Sequence, residues 1–497
     1  MTQIEEIEEE EYQGSSNRFL LLTAVPAWLV SMIVHIIIVL ALYVVVFDVS
    51  GKDKQVLTIE ESSDAEEIED LVIEEFEPVD MVKLDHDLPP ETPEDAVIDE
   101  EVVMSDFEEL TSATMQMDLI DFAADTAPFS DMLTELAGAT GNATSGRGQA
   151  TRTQMVLEGG GNGGSEAAVV NGIKWIAEHQ LSDGSWSFDH RLGAKKPGSM
   201  NAGTIKGGAP HAATSMALLP FLGAGHTHKE GKYKKQVKAG LEALVRMIKL
   251  RGQTGSLEEP DGRMYSHGLG AITLCEAYAM TQDKDLRDPA QSVINHIVYA
   301  QDPVGGGWRY TPRQAGDTSV VGWQVMALKS GHMGYLEVPP NTVQGSIKFL
   351  DSIASNGGAN YGYATPGRGK ATTAVGLLCR MYLGWKKENP GLQKGVEFLS
   401  KTGPSKTEMY YNYYATQVMR HNGGPEWEKW NKVMRDQLTN DQVKPGKPEA
   451  GSWFYNTNHS KRGGRLYETS LSVLTLEVYY RHLPIYKKDA AEEDFAL

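Results

Sequence analysis

The sequence has little cysteine, and its N-terminal part has almost no basic residues. Only Cys275 and Cys379 occur among 497 residues, and no Cys-x-x-Cys spacing is present. A disulfide framework is therefore not expected. Both cysteines lie within apolar helical patterns and are predicted to be buried thiols. The cysteine count does not indicate a cellular compartment.

Charge is distributed unevenly along the chain. Residues 1–50 carry a net charge of −6, residues 51–140 carry −25, and residues 141–497 carry +10. The basic excess of the last segment is spread along its length without a cluster, so we expect no nucleic acid partner. The acidic character belongs to the N-terminal part alone.

One long apolar run, residues 26–47, contains no fully charged side chain. As a helix it would be about 33 Å long, enough for a hydrocarbon core of about 30 Å, so it predicts a single transmembrane helix after an acidic tail of residues 1–25. Its length and the acidic residues before it argue against a cleaved signal peptide. We expect a single-pass membrane protein whose C-terminal domain lies outside the cytoplasm, although few basic residues flank the run.

Residues 51–140 are too acidic and too poor in aromatic residues to fold alone, so we predict a mostly disordered tether. Short apolar–acidic pieces within it could dock on a protein partner, and the basic C-terminal domain is the nearest one. Two hypotheses follow: the tether is a solvated spacer, or it rests on the domain and limits access to it. Residues 141–164 are rich in glycine and predict a flexible linker.

A helical hairpin recurs six times in residues 165–485, before a short C-terminal tail of residues 486–497. The clearest copy surrounds residues 301–328, where one helix ends at Gln301, a glycine-rich turn is closed by Trp308, and a second helix opens at Asp317. The first copy repeats the pattern with Gln180, Gly184 and Trp186. Six sequential hairpins can close into a ring of six inner and six outer helices.

The spacing Gly172-x2-Trp175-x4-Gln180-x3-Gly184-x-Trp186 resembles the Gln–Trp repeat of squalene–hopene cyclases and the related repeat of protein prenyltransferase β subunits. The resemblance covers about two thirds of the chain and implies an all-α fold, the (α/α)6 toroid. Independently of the family, we expect Gln to bind carbonyls at an outer helix's C-terminus, Gly to permit the turn, and Trp to cover the junction.

In such a ring all inner helices start at one end, where this family keeps its chemistry. Aligning those starts brings together His211, His267, Asp317, Ala371, Asn412 or Tyr413, and Glu468. The candidates for catalysis are Asp317, His211, His267 and Glu468. The alternative is that the acidic members are only helix caps.

The catalytic motifs of the family are not conserved in this chain. Hopene-type cyclases open this helix with Asp-x-Asp-Asp-Thr-Ala, and the proton donor's position is Gly316 here. The zinc site of prenyltransferases needs a Cys two residues after Asp317, where Ser319 stands. We expect neither alkene protonation by the known route nor a metal or other cofactor.

Three functions remain open. The first is a toroid that binds a lipid-like, isoprenoid ligand or a protein partner without cyclase chemistry. The second is an enzyme acting on isoprenoids through Asp317 with a histidine or Glu468, and the third is a polysaccharide-acting enzyme with Asp317 and Glu468 as its two carboxylates. Two insertions, residues 187–210 and 441–464, could cover the cavity. The expected aromatic lining of a ligand cavity is Trp323, Tyr411, Tyr413, Tyr414 and Tyr467.

Overall fold

The computed structural model describes residues 149–194 and 198–481, which belong to one compact unit of the chain, Glu100–Leu497. The predicted acidic tail, the transmembrane helix 26–47, the tether 51–140 and the C-terminal tail 486–497 lie outside the described residues. Within the described part, no helix combines the length and the apolar character needed to cross a membrane.

The described residues are mostly helical, as the repeat pattern predicts. They form thirteen α-helices, and α1 precedes six hairpins in which even-numbered helices are outer and odd-numbered helices are inner. The helices are α1 (Gln149–Gly159), α2 (Gly163–Glu178), α3 (Pro210–Gly223), α4 (Lys234–Arg246), α5 (Arg263–Thr281), α6 (Lys284–Ala300), α7 (Thr318–Met333), α8 (Pro340–Ile353), α9 (Lys370–Tyr382), α10 (Pro390–Thr402), α11 (Met409–Asn422), α12 (Gly424–Asp441) and α13 (Asn458–Leu476).

The inner helices form a closed ring. Each packs against the next in chain order, and α13 packs against α3, so the first and sixth hairpins are neighbours. The outer helix α12 likewise contacts α2. We call this junction between the first and sixth hairpins the seam. The predicted (α/α)6 arrangement is therefore present in the described residues.

Strands are confined to two short hairpins in the part of the chain that the structure describes. In the turn of the second repeat, β1 (Lys249–Arg251) pairs antiparallel with β2 (Thr254–Ser256). In the turn of the fourth repeat, β3 (Ala354–Ser355) pairs with β4 (Asn360–Tyr361). The Gln–Gly–Trp pattern is weak in these two repeats, as it is in the fifth, and backbone pairing holds the turn in the second and fourth.

The tryptophan of the repeat donates a hydrogen bond to a carbonyl near the C-terminus of the outer helix. The buried indole N–H of Trp186 donates to Ile176 O, and that of Trp308 donates to Ile297 O, both at 2.8 Å. Trp453 makes the equivalent bond in the sixth repeat. Backbone donors become scarce in the last turn of a helix, and the indole supplies an additional donor to a carbonyl there, which ties the turn to the helix end.

The glutamine has a different role from the one the sequence suggests. The Gln301 amide donates to Gly306 O in its own turn and to Thr342 O in the first turn of the next outer helix, both at 2.8 Å. Gln180 and Gln442 bridge in the same way, the latter to Ala168 O across the seam. Glutamine thus joins neighbouring hairpins, and its acceptors lie in the turn and in the first turn of the next outer helix, not at the C-terminus of an outer helix.

Glycine is required in these turns because the next outer helix approaches closely. Gly306 has φ of +75°, and a Cβ there would lie 2.1 Å from Gly345 O. Any side chain would therefore clash with the backbone of α8 as well as occupy a conformation that L-residues rarely adopt.

Helix α1 lies within the segment predicted to be a linker. Arg152 forms an ion pair with Glu166 at 2.7 Å and stacks on the ring of Tyr480, and Val156 is buried in the core. Arg152 also donates to Ala224 O, just after inner helix α3 ends. We call this end of the ring, where the inner helices finish, the base, and α1 covers part of it.

Candidate functional site

The six inner helices begin at the same end of the ring, which we call the mouth. Hydrogen bonds tie the start of one inner helix to the turn before the next: Met264 N donates to Tyr310 O at 3.2 Å, and Thr318 N donates to Tyr363 O at 2.9 Å. Because helix N-termini carry partial positive charge, this end favours anionic and electron-rich groups.

The two predicted insertions pack on each other beside the mouth. Met200 N donates to the carboxylate of Glu449 at 2.9 Å, Thr204 N donates to Arg462 O at 3.0 Å, and Arg465 N donates to Asn201 O at 3.0 Å. Residues 195–197 of the first insertion are not described. The insertions therefore cover the seam side of the mouth.

His211 is held by the turn of the second repeat. Its Nδ1 lies 2.9 Å from Leu257 O, so the ring donates there. The carboxylate of Glu259 accepts from the backbone N–H groups of His211 and Ala212, which caps helix α3. Sequence reasoning missed this capping residue because it lies 48 positions away in the chain.

His267 is fully buried and faces the outer ring. Its Nδ1 accepts from Leu257 N at 3.1 Å, so Nε2 carries the proton and donates to Val293 O in outer helix α6 at 3.0 Å. Burial, with His296 close by, holds the pKa of His267 well below its usual value. This imidazole is neutral and connects the second and third hairpins.

Asp317 is fully buried at the start of α7. Its Oδ1 accepts from Ser319 N at 3.0 Å and Val320 N at 3.1 Å, the geometry of a helix N-cap, and from Ser319 Oγ at 2.5 Å. Oδ2 forms no hydrogen bond with any described residue, and Arg309 Nε lies 3.7 Å from it. The capping alternative therefore accounts for one oxygen, while the other is buried and forms an ion pair with Arg309.

Tyrosines that the sequence analysis did not select surround Asp317. Tyr265 OH lies 2.6 Å from Ser319 Oγ, and since Ser319 donates to Asp317, Tyr265 donates to Ser319. Tyr410 OH donates to Ser319 O at 3.2 Å. Burial, reinforced by the charge of Asp317, raises the pKa of Tyr265 well above its usual value, so its hydroxyl remains a donor.

Arg309, Tyr310 and Tyr363 form the outer part of this site, and we call them the arginine–tyrosine cluster. The hydroxyls of Tyr310 and Tyr363 lie 2.5 Å apart. The guanidinium carbon of Arg309 lies 5.5 Å from the ring centroid of Tyr310 and 6.0 Å from that of Tyr363. The signal available in the sequence was the tyrosine two residues after Trp308 and Tyr361, in the strings WRY and YGY.

Glu468 lies across the ring from Asp317, because α13 and α7 are opposite members of the six. Only 1% of it is exposed, and Ser460 Oγ donates to its Oε1. Its Oε2 has no hydrogen-bond partner among the described residues. Burial raises the pKa of Glu468 to about 8, with a smaller contribution from Glu408. Glu468 is therefore protonated at neutral pH.

The four catalytic candidates do not form one site. His211 and His267 bind the Leu257 backbone, Asp317 binds the start of its own helix, and Glu468 binds Ser460. Asp317 and Glu468 are on opposite helices, as a polysaccharide-acting enzyme would require, but neither is exposed. The residues at the other two aligned positions also belong to their own repeats. Asn412 exchanges hydrogen bonds with Ser405, and Ala371 is the second residue of α9.

Three of the five aromatic residues expected to line a ligand cavity fill the ring instead. Trp323 lies almost parallel to Tyr413 with centroids 5.7 Å apart, and contacts Tyr414 edge-on at 5.4 Å. All three are buried. Tyr411 turns toward the outer helix α12 and donates to Gly403 O at 3.0 Å. Tyr467 is half-buried in α13, three residues after the break in that helix at Gly464, and burial raises its pKa well above the usual value.

The interior toward the base is closed by a buried ion pair. Arg481 donates to Glu276 at 2.8 Å and to the hydroxyl of Tyr413 at 3.0 Å. Arg481 and Glu276 are both almost inaccessible to solvent. Charges are buried in this way only when paired, so these groups are part of the packed core.

The position matched to the cyclase proton donor is sterically closed. A Cβ on Gly316 would lie 2.7 Å from the Cα of Gly307 and 2.8 Å from the ring of Phe349. An aspartate cannot occupy this position without moving the turn that carries Trp308. The missing acid is thus excluded by packing as well as by sequence.

Metal ligands are not grouped in the part of the chain that the structure describes. No set of three or more His, Cys, Asp or Glu side chains there is arranged to hold a metal ion. Burial raises the pKa values of both Cys275 and Cys379, that of Cys379 to about 12, so both are protonated thiols.

Comparison with known proteins identifies no family. The sequence matches no protein-family model and no curated protein. Similar solved structures include an inactive variant of the α-1,6-mannanase GH76A of Salegentibacter sp. HEL1_6 in complex with α-1,6-mannotriose, at 12% identity and a TM-score of 0.46, with 64% of this chain and 100% of that chain covered. They also include the type II terpene cyclase MstE from Scytonema, at 12% identity and a TM-score of 0.44, with 63% and 97% covered. Both are α/α toroids, and at these values the likeness says nothing about substrate.

Proposed function

We propose that the toroid is a binding module that engages a protein partner at its mouth and neither cyclises nor transfers isoprenoids. The observation that carries this proposal is the filled interior of the ring. Membrane attachment through residues 26–47 is part of the proposal and rests on the sequence alone.

An isoprenoid would have to displace the core. Pockets for ligands of that size have volumes of about 300–1,000 Å³ and are mostly apolar. Here the space inside the inner helices holds Trp323 stacked on Tyr413, with the Arg481–Glu276 ion pair below. A cavity of about 290 Å³ lies elsewhere, on the outer surface between α10 and α12 beside Trp430 and Val433.

The charge of the mouth supports the proposal of a protein partner. Its rim carries cations on the turns and first residues that open the inner helices, while the helix N-termini add partial positive charge. An exposed aromatic residue, Tyr363, lies among them. The cationic residues of the rim are Lys206, Arg263, Arg309, Arg313, Arg368, Lys370, Lys406, Lys461 and Arg462. A surface of this kind suits an acidic partner.

Lipid analysis of the purified full-length protein tests the first half of the proposal. We expect no isoprenoid to copurify in stoichiometric amount by mass spectrometry, and no polycyclic product when squalene is supplied. A stoichiometric isoprenoid, or a polycyclic product, would contradict the proposal.

Site-specific photo-crosslinking tests the second half. A photoreactive amino acid replaces Tyr363 at the mouth or, as a control, Val433 on the outer surface, since both side chains are exposed. We expect a salt-sensitive protein crosslink from position 363 that is absent from position 433. Equal crosslinking at both positions would contradict a specific role for the mouth.

A further inference from the structure

Arg309 is oriented by its neighbours but leaves most of its donors unused. Its guanidinium lies near the rings of Tyr310 and Tyr363, and Asp317 Oδ2 is 3.7 Å from Nε, which is an ion pair but too long for a hydrogen bond. The side chain is 39% exposed. It donates no hydrogen bond to any residue that the structure describes, although a guanidinium has five N–H donors.

The tyrosine pair beside Arg309 supplies one more donor. Between Tyr310 and Tyr363, one hydroxyl donates to the other across 2.5 Å, so the proton of the accepting hydroxyl points elsewhere. Burial raises the pKa of Tyr363 well above its usual value, and both the bond to Tyr310 and the charge of Asp317 add to this. The hydroxyl therefore keeps its proton throughout the physiological pH range.

A carboxylate fits these donors better than a neutral group does. Guanidinium and carboxylate form short, charge-assisted and often bidentate hydrogen bonds, and the planar fork of arginine is specific for that geometry. The two carboxylate oxygens could accept from Arg309 and from the free tyrosine hydroxyl together. Asp317 would retain its contact with Nε and hold the guanidinium in place.

We infer that the arginine–tyrosine cluster is a recognition site for a carboxylate of an acidic peptide segment. This inference rests on the proposed function and names the chemistry by which the mouth selects its partner. The remaining rim cations attract the segment at longer range, whereas Arg309 makes the directional contact. The chain itself contains acidic, partly apolar stretches such as residues 117–133, so peptides of this kind are represented in its own sequence.

The test measures binding of a labelled hexaglutamate peptide to the full-length protein by fluorescence anisotropy at low salt. Arg313→Gln is the matched control for Arg309→Gln, because Arg313 lies in the same turn, is exposed and stacks on a different tyrosine, Tyr299. Both substitutions remove one positive charge. We expect Arg309→Gln to weaken binding about tenfold and Arg313→Gln less than about twofold.

Two further variants separate hydrogen-bond geometry from charge and folding. Arg309→Lys keeps the positive charge but loses the planar, two-pronged donor geometry of the guanidinium. We expect its affinity for the peptide to be closer to that of Arg309→Gln than to that of the original protein. Tyr363→Phe keeps the ring and removes the hydroxyl, and we expect it to weaken binding of the peptide about threefold. Circular dichroism confirms that each variant is folded. If Arg309→Gln is misfolded, the Tyr363→Phe result decides.

Equal losses of peptide affinity for Arg309→Gln and Arg313→Gln would overturn the inference, because the rim cations would then attract the peptide only through their summed charge. Failure of hexaglutamate to bind the original protein would overturn it too. In either case, an absence of copurified isoprenoid together with a protein crosslink specific to position 363 would leave the proposed function standing. A stoichiometric isoprenoid would instead contradict the proposed function, whatever the peptide result.

Discussion

Replacing Glu468 by glutamine should make the toroid progressively more stable than the original protein as the pH rises. Glu468 is buried, one oxygen is held by Ser460, and the other has no partner among the described residues. Burial raises its pKa in the folded protein from 4.5 to about 8. Glutamine is uncharged at every pH and close in shape to the protonated acid, so Glu468→Gln removes the ionisation and little else.

The size of the effect follows from linkage. Between the unfolded pKa and the folded pKa, the folded protein holds a proton that the unfolded chain releases, so the free energy of unfolding falls as the pH rises. The contribution of Glu468 is therefore complete below its unfolded pKa and is lost as the pH rises through its folded pKa. Each pKa unit corresponds to about 1.36 kcal/mol, so roughly 3 kcal/mol is lost between pH 5 and pH 8.

The assay is urea denaturation at several pH values from 5 to 8, followed by tryptophan fluorescence, since eight of the nine tryptophans belong to the toroid. The two proteins should have similar stability at pH 5 and should differ by about 3 kcal/mol at pH 8. Glu397→Gln, on the exposed face of α10, is the control and should show no such divergence. A difference that is independent of pH would refute the conclusion that Glu468 is buried in its neutral form.

Three further substitutions test the packing of the repeat and the start of α7, each by urea denaturation at constant pH. Trp308→Phe removes the indole donor to Ile297 O and should cost about 1–3 kcal/mol, whereas a loss within error would mean that the bond is dispensable. Gly316→Asp should cost about 1–3 kcal/mol or more through its clash with Phe349, and should yield no polycyclic product from squalene. Asp317→Ala should cost about 1 kcal/mol more than Asp317→Asn, because asparagine still caps the helix, and equal costs would argue against the cap.

The architecture could be predicted because the residues of the repeat have structural roles that do not depend on membership of a family. Trp308 and its equivalents end an outer helix, and the apolar spacing that follows Asp317 is that of a buried helix. The role of Gln301 was less accessible, because its second acceptor, Thr342 O, belongs to the next hairpin. Helix α1 was missed because glycines surround its short sequence and its stabilising contacts are tertiary.

The site was only partly predictable. Asp317 stood out as a carboxylate at a helix start, and the alignment of inner helices brought Glu468 to the same end of the ring. The strings WRY and YGY contain Arg309 and Tyr363, but the proximity of these two residues depends on the packing of two turns that are 54 residues apart in the sequence. The expectation of a lined cavity rested on residue type, and aromatic residues such as Tyr413 serve equally well as core.

At the seam, the first and sixth hairpins contact each other in the same way as hairpins that are consecutive in the chain. The hydrogen bond from Gln442 to Ala168 O spans 274 residues, and Gln180 and Gln301 make the same interaction with the hairpins that follow them. During synthesis the first hairpin therefore exposes one apolar flank until the sixth has left the ribosome. Loss of either terminal hairpin would expose two interfaces at once. The position of the chain break is therefore not fixed by the contacts between hairpins. We expect a circular permutant, opened between two other hairpins and joined across the seam, to form the same closed ring.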